Sequence, residues 1–359
     1  MSERAARDLG AEARVVSGVD GTPRPLRPVT LADLARAAGT SPSTASRALS
    51  GRGYVSEAAR ERLLAAAEQL GYVPNASARA LKQRQSRVVG VVVSELGNQF
   101  YARLAAGIEQ TLRAADYQMV LVADNSENTA ELAGARTFLA MRAPGVIITP
   151  VAHEATSLLT RHGVAVVELD RQLASVACDA VVVDNVRGAR EATTHLLELG
   201  HRRIGLLVAA TEWTSDAGRL QGYRSAHHEA GVPVDERLIV RIPTHARDAE
   251  DRISALLDVE APTALFAANN LLAEQAWHVL RRRRLALPTE ISLLAFDDVT
   301  WMEMVNPAIT AVAQPTLELG RRAARLVLRR IADPPSEAAV ERLQPKLVVR
   351  GSTGPLPRL

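Results

Sequence analysis

The 359-residue sequence predicts an α/β protein, with a small all-α N-terminal head followed by a two-lobed body of doubly wound parallel sheets. Residues 29–84 contain short amphipathic segments that begin at capping residues. From residue 88, apolar runs alternate with segments of helical length, which is typical of βαβ units in a parallel sheet. Because roughly 265 residues are more than a single hydrophobic core usually contains, we expect the body to divide into two lobes.

Composition restricts the class of protein. Hydrophobic residues make up 47% of the chain and charged residues 23%, which is enough apolar material for large packed cores. The single cysteine, Cys178, excludes an intramolecular disulfide and argues against a Cys-based zinc site. No apolar run approaches the roughly 20 residues of a membrane helix, and the N-terminus lacks the apolar core of a secretory signal. We therefore expect a soluble cytoplasmic protein with no membrane partner.

The charge is unevenly distributed. Residues 1–87 hold 14 basic and 8 acidic residues, whereas the remainder holds 29 basic and 32 acidic ones. A basic head on a mildly acidic body suggests that the head meets a polyanion. An ordinary solvated, arginine-rich surface is the alternative at this point.

Capping signals divide the head into four short helices. Thr30 with Asp33 resembles a capping box, and Ser41, Ser56 and Asn75 can cap the next three helices. The second helix presents a polar face and an apolar face, so the first two helices form either a helix-turn-helix or a plain αα-hairpin. Its candidate groove-facing residues are Ser43, Thr44, Ser46 and Arg47, and its candidate core residues are Ala45, Ala48 and Leu49. The inward-facing residues predicted for the third helix are Leu63, Ala67 and Leu70.

The fourth segment, residues 75–82, is too short to be a stable helix unless it packs on something. Ala78 and Leu81 lie three residues apart among basic residues that include Lys82. An apolar wedge between basic side chains is what minor-groove intercalation requires. A linker helix docked on the body is the alternative.

The body contains nine apolar runs of strand length, several of which end at an aspartate. Because open α/β sheets bind ligands at the carboxyl ends of their strands, Asp124, Asp170, Asp184 and Asp297 mark a candidate ligand site. Trp213, Trp277 and Trp301 are candidate aromatic residues for the wall of this ligand site. The position of Trp277 on a helix face favours packing within the protein instead. The predicted strands are Val88–Val93, Met119–Ala123, Val146–Thr149, Val164–Leu169, Ala180–Val183, Ile204–Val208, Leu238–Ile242, Ala264–Ala267 and Ile291–Phe296.

Recognisable motifs are distributed along nearly the whole chain. One of them is Val29-Thr30-Leu31-Ala32-Asp33-Leu34-Ala35, and another is Leu70-Gly71-Tyr72-Val73-Pro74-Asn75. The others are residues 38–41, 44–49, 55–56, 78–81, 98–101, 169–171, 199–204, 219–223, 268–270, 296–298, 309–315 and 347–353. Together these motifs resemble those of the lactose-repressor-type (LacI/GalR) family of transcription factors. The resemblance implies a helix-turn-helix head on a periplasmic-binding-protein-like body, and a homodimer that acts as an effector-responsive regulator, with repression favoured.

The resemblance also implies which residues contact a near-palindromic operator. Ser43, Ser46, Arg47 and Tyr54 would read bases, while Thr30, Thr44, Ser50 and Ser56 would contact phosphates. In the minor groove, Asn75 and Ala78 would line the groove, Leu81 would lever open the central base step, and Lys82 would flank it.

For the body, the resemblance implies a small-molecule effector in a cleft between the lobes. Carboxylates and guanidinium groups can bond hydroxyls, and aromatic faces can pack against a ring. The implied effector residues are Asn98, Phe100, Tyr101, Asp170, Arg171, Arg219, Asn269, Asp297 and Gln314.

Three departures from the family pattern leave the effector open among a sugar, a sugar acid and a sugar phosphate. Gln99 stands where a proline is usual, and Asn270 stands where an aspartate is usual. The stretch 241–244 lacks the aromatic residue that many relatives carry there.

The implied division of the chain has five parts. These are a disordered tail, 1–28; a DNA-binding domain, 29–74; a hinge helix and linker, 75–86; an N-lobe, 87–183 with 316–335; and a C-lobe, 184–315 with 336–353.

An enzyme and a solute-binding protein are the rival classes. The sequence has no G-x-G-x-x-G after a strand, no phosphate-binding G-x-x-x-x-G-K-[ST], no H-E-x-x-H and no nucleophile elbow, so we expect neither an enzyme nor a cofactor. An exported solute-binding protein would need a signal and no DNA-binding head.

Overall fold

The structure is a computed structural model that describes residues 29–50, 53–72, 86–173, 178–211, 213–244, 246–333 and 337–356. The chain forms two compact units, Met1–Lys82 and Gln83–Leu359. The predicted tail and nearly all of the predicted hinge helix and linker lie outside the described residues. Within the described residues, no helix is long and apolar enough to cross a membrane.

The described part of the first unit contains three helices packed around a small apolar core. Thr30 caps the first helix as predicted, because its hydroxyl accepts the Asp33 N–H at 3.3 Å while the Asp33 carboxylate accepts the Thr30 N–H at 3.0 Å. Gly71 ends the third helix in the left-handed conformation, with φ of 60°. The three helices are α1, Leu31–Ala37; α2, Pro42–Ser50; and α3, Glu57–Leu70.

One core prediction in this unit is wrong. Leu70 was expected to face inward, yet it is 38% exposed. The buried positions of α3 are Ala59, Leu63 and Ala66, with Ala67 half-buried beside them. Tyr72, two residues further along the chain, packs against this core, whereas Leu70 does not.

The second unit alternates strands and helices, as the sequence predicts, and each of the nine predicted strands is present. The strands are β1, Val88–Val93; β2, Gln118–Ala123; β3, Gly145–Ile148; β4, Ala165–Leu169; β5, Asp179–Val183; β6, Ile204–Ala209; β7, Ile239–Ile242; β8, Ala264–Ala267; β9, Ser292–Phe296; β10, Thr310–Ala313; β11, Val340–Leu343; and β12, Lys346–Val348. The helices are α4, Gln99–Ala114; α5, Asn128–Ala140; α6, His153–Arg161; α7, Asn185–Glu198; α8, Thr214–Glu229; α9, Ala249–Glu260; α10, Asn270–Arg282; α11, Trp301–Met304; and α12, Thr316–Ala332.

Two six-stranded sheets form the two lobes of this unit. The order in lobe 1 is β11-β5-β4-β3-β1-β2, and every pair is parallel. The order in lobe 2 is β12-β10-β9-β8-β6-β7, which is parallel except for the pairing of β12 with β10. In each sheet the order in which successive strands are added reverses next to the first strand of the lobe, β1 in lobe 1 and β6 in lobe 2. Doubly wound folds bind ligands at this reversal point.

The chain passes between the lobes three times, after β5, after β10 and after β11. The third passage differs from the predicted division, which assigned 336–353 to the second lobe. Val340–Leu343 instead pairs with β5 in lobe 1, from Val340 opposite Ala180 to Leu343 opposite Val183. The apolar signal of this edge strand is weak because two of its four residues are charged, so the sequence pattern did not place it.

Candidate functional site

A cavity of about 440 Å³ lies between the two lobes. Lobe 1 contributes residues that follow β1, β2 and β4, and lobe 2 contributes residues that follow β6, β7, β8 and β9. Because all these strands are parallel within their sheets, their carboxyl ends face the same space. Of the nine predicted effector residues, eight line the cavity: Asn98, Phe100, Tyr101, Asp170, Arg171, Arg219, Asn269 and Asp297.

Gln314, the ninth predicted residue, is not among the lining residues. Its side-chain amide donates to Asp297 Oδ1 at 2.6 Å, so it supports a lining carboxylate. The other Asp297 oxygen, Oδ2, accepts the backbone N–H of Asn270 at 3.2 Å. Burial raises the pKa of Asp297, against the opposing effects of Arg219 and the Gln314 bond.

Arg171 is buried, and its guanidinium is held from several sides. Nη2 donates to Ser94 Oγ at 2.8 Å and to the Tyr101 hydroxyl at 2.9 Å. The Trp213 ring stacks on the guanidinium at 3.5 Å, and the Asp170 carboxylate lies 3.6 Å from Nε. This arginine is therefore a fixed part of the wall.

Arg219 is held in the same manner on lobe 2. Its Nε donates to Asn185 Oδ1 at 2.9 Å, and Nη1 donates to the Ala268 carbonyl at 2.6 Å. The guanidinium stacks over the Phe296 ring at 4.0 Å. Two of its guanidinium nitrogens are thus bonded within the protein before any ligand binds.

Asp170 and Asp297 both have left-handed backbones, with φ of 70° and 74°. Aspartate is one of the few non-glycine residues that adopt this conformation readily, and both residues line the cavity. Asp170 Oδ1 is buried and has no hydrogen-bond partner among the described residues. The wall of the cavity therefore contains an unpaired acceptor beside Arg171 Nε, a donor that also has no hydrogen-bond partner among the described residues.

Two of the four acidic strand ends lie elsewhere. Asp124 and Asp184 follow β2 and β5, but neither lines the cavity. The Asp124 carboxylate accepts the Ser126 N–H at 2.7 Å, and the Asp184 carboxylate caps α7 by accepting the Arg187 N–H at 3.0 Å. Their strand ends carry local structural roles.

Of the three tryptophans, Trp213 lines the cavity and donates from Nε1 to the Val151 carbonyl at 3.2 Å. The ring centroids of Trp277 and Trp301 lie 6.0 Å apart, and both residues pack against the core of lobe 2.

Ser94 and Asp216, which the sequence patterns did not predict, also line the cavity. Ser94 directly follows β1, so the strand-end rule that selected Asp170 could have found it. Asp216 precedes Arg219 by three residues on α8, which places both on one helix face.

The candidate DNA-contacting face lies on the first unit. Ser43 and Arg47 of α2 are exposed, Thr44 and Ser46 are half-buried, and Tyr54 is 89% exposed. Arg47 Nε donates to the Ser43 carbonyl at 3.4 Å. Thr30 and Ser56 are exposed at the starts of α1 and α3. The predicted contacts Asn75, Ala78, Leu81 and Lys82, together with the Ser50 side chain, lie outside the described residues.

Comparison with known proteins accounts for both units. Residues 30–75 match the family described as bacterial regulatory proteins, lacI family, and residues 193–353 match a periplasmic binding protein-like domain. The HTH-type transcriptional regulator DegA of Bacillus subtilis is 33% identical, over 91% of this chain and 98% of DegA. The chain belongs to the lacI family of bacterial regulatory proteins.

Two solved structures show how far this lacI-family likeness extends. The transcriptional regulator CelR in complex with cellobiose has a TM-score of 0.69 and 32% identity, over 91% of this chain and all of that one. The lac repressor dimer bound to operator and an anti-inducer has a TM-score of 0.78 and 26% identity, over 91% of this chain and all of that one. The sequence-based family and fold are confirmed.

Proposed function

We propose that this lacI-family protein is a transcriptional repressor that binds a near-palindromic operator as a homodimer and responds to a sugar in its cleft. The observation that carries the proposal is the pairing of an exposed polar recognition face on α2 with a polar cavity at the strand ends of the second unit. The operator and the sugar named with the lac repressor and CelR structures support the two ligand classes.

On DNA, the proposed division of labour follows the chemistry of the side chains. Arg47 and the hydroxyls of Ser43, Ser46 and Tyr54 reach base edges, while Thr30, Thr44, Ser50 and Ser56 bond phosphates. The segment that contains Asn75, Ala78, Leu81 and Lys82 enters the minor groove, where Leu81 unstacks the central step.

In the cleft, we propose a neutral sugar rather than a sugar acid or a sugar phosphate. Two nitrogens of Arg171 and two of Arg219 donate to protein groups, so part of their donor capacity is not available to an anion. Arg171 Nε has no hydrogen-bond partner among the described residues. Asp170, Asp216 and Asp297 line the same cavity, and their carboxyl oxygens offer acceptors to sugar hydroxyls. An unpaired oxygen on Asp170 calls for a donor, which a sugar hydroxyl supplies.

Arg47 provides the test of the DNA assignment. Operator sites selected from a randomised duplex library by the wild-type protein are measured by gel shift against Arg47→Ala. We expect a loss of about 1–3 kcal/mol and relaxed preference at one base position, because a bidentate base contact disappears.

The matched control is Arg36→Ala, which removes the same charge from an arginine on α1 that pairs with Asp33. It should weaken binding evenly across sequences, if at all. Unchanged base preference in Arg47→Ala would contradict the assignment.

The rival classes gain no support. The relatives are named as transcriptional regulators rather than as enzymes or importer components. We therefore assign no catalytic reaction and no cofactor.

A further inference from the structure

We infer that Asn98, Gln99 and Asn270 are positioning residues that hold the two lobes together beside the cavity. Their side-chain amides, together with the Thr300 backbone N–H, are called here the amide latch. The proposed function supplies only the biological consequence of the latch, which is the regulation of cleft closure.

The first contact of the amide latch joins two buried asparagines from different lobes. Asn270 Nδ2 donates to Asn98 Oδ1 at 2.9 Å, and Asn98 Nδ2 donates to Asn270 Oδ1 at 3.4 Å. Asn98 Oδ1 also accepts the Phe100 N–H at 3.0 Å, which caps α4. The Asn98 side chain is thus committed to protein contacts, even though it lines the cavity.

The second contact lies one residue along the chain. Gln99 Oε1, on α4 of lobe 1, accepts the Thr300 backbone N–H of lobe 2 at 2.6 Å. One helical turn further on, Arg103 Nη1 reaches the Asp298 carbonyl at 3.5 Å. The beginning of α4 is therefore hydrogen-bonded to the loop that follows β9.

Both contacts converge on a proposed ligand residue. Asp297 immediately precedes Asp298 and Thr300, whose backbone groups bond to α4. The Asp297 Oδ2 accepts the backbone N–H of Asn270. The latch fixes Asp297 from both sides, so a hydrogen bond from a ligand to Asp297 and the separation of the lobes are mechanically linked.

The position of the latch gives it leverage. The three interlobe passages join lobe 1 at the end of β5, at the end of β11 and at the start of α12. The latch follows β1, which lies three strands from β5 in the sheet. At about 4.8 Å per strand, the latch lies roughly 14 Å from β5 along the sheet. A hinge rotation of about 5° would move it by about 1 Å, enough to weaken hydrogen bonds of this length.

Two latch residues, Gln99 and Asn270, are among the three departures from the family pattern. A proline at position 99 has no acceptor for the Thr300 N–H. An aspartate at position 270 could not donate to Asn98 Oδ1, and it would add a carboxylate beside Asp297. The Gln99 acceptor and the Asn270 donor are therefore features of this chain and not of the family pattern.

Hydrogen exchange of the Thr300 amide, in the full-length protein without DNA or effector, reports directly on the latch. Gln99→Pro places proline at the first helical position of α4, where it is well tolerated, and removes the acceptor. We expect Thr300 exchange to accelerate about fivefold, as loss of one net hydrogen bond implies.

Asn270→Ala is the decisive variant, because Asn270 forms no bond with Gln99 or Thr300. If the contacts act together, Thr300 exchange accelerates by a similar factor, while the thermal midpoint falls only by the amount expected for the loss of buried hydrogen bonds. Gln118→Ala, on an exposed residue of β2, is the matched control and leaves Thr300 exchange unchanged. Thr300 exchange within twofold of wild type in a folded Asn270→Ala protein overturns the inference. That result would leave the proposed DNA and sugar binding intact.

Discussion

Glu131, on α5 of lobe 1, is a fully buried carboxylate. Its Oε1 accepts the Val151 N–H at 2.7 Å and its Oε2 accepts the Ala152 N–H at 3.3 Å, so it fixes the loop that also receives the Trp213 bond. Burial raises the pKa of Glu131 from 4.5 to about 7, in spite of these two bonds. The residue thus makes the stability of lobe 1 dependent on pH near neutrality.

Because the folded-state pKa lies above the unfolded value, Glu131 stabilises the fold fully below pH 4.5, and this contribution is lost as pH rises through about 7. Glu131→Gln removes the titration. We expect the stability of wild type relative to the variant to fall by about 3 kcal/mol between pH 4.5 and 8, measured by urea unfolding.

The matched control for this measurement is Glu127→Gln, on an exposed residue at the start of the same helix. It should keep the wild-type pH profile. A difference between wild type and Glu131→Gln that does not change with pH would refute the assignment.

At the scale of elements, α4 and α12 approach each other closely enough to require glycine at both contact points. A methyl group on Gly107 would overlap the Leu317 carbonyl oxygen, and one on Gly320 would overlap the Leu104 carbonyl oxygen. α12 follows the second interlobe passage, so this pair fixes the passage to lobe 1. The first turn of α4 also carries the amide latch.

Gly107→Ala should therefore force the two helices apart. We expect a loss of about 2 kcal/mol in stability, within the usual range for overpacking, seen as a lower midpoint of thermal unfolding. Gly97→Ala is the matched control, because a methyl group there meets open space. Equal midpoints for the two variants would show that the α4–α12 contact relaxes without cost.

At the scale of the whole molecule, the proposed coupling links a cavity in the second unit to DNA binding by the first. We propose that the ligand changes the angle between the lobes, and thereby whether two 75–82 segments can fold in the minor groove. Such coupling is reciprocal, and it amounts to about 5–150-fold in affinity. It follows that whatever the effector does to operator affinity, the operator does to effector affinity.

Arg219→Ala tests this coupling. Neutral sugars and their matched acids and phosphates are screened by thermal shift, and the hits are then added to gel shifts with the selected operator. We expect the variant to bind DNA, but to lose both the thermal shift and the effector response.

The control is Arg282→Ala, on an exposed arginine that pairs with Glu250 in lobe 2, which should behave as wild type. A normal effector response in Arg219→Ala would remove the cleft assignment. A thermal shift given by an acid or a phosphate but not by its neutral counterpart would replace the sugar class.

Local signals in the sequence predicted most of the elements. The capping box at Thr30, the stop at Gly71 and the nine apolar strands depend on neighbouring residues, so they can be read from short windows. The residues of the cavity were predicted by strand ends and by family resemblance, and eight of the nine converge on it. The prediction failed for Leu70 and for the boundary before β11, where no local pattern shows which neighbour covers the segment.

The sequence by itself determined the helical head, the alternation of nine strands with helices in the body, and the polar residues available at several strand ends. Only the tertiary structure decided that Asp170 and Asp297 share a cavity while Asp124 and Asp184 do not. It also decided that Asn98 meets Asn270, 172 residues away. The physical reason is that capping and periodicity act over a few residues, whereas the convergence of side chains depends on sheet order and on how the two lobes close.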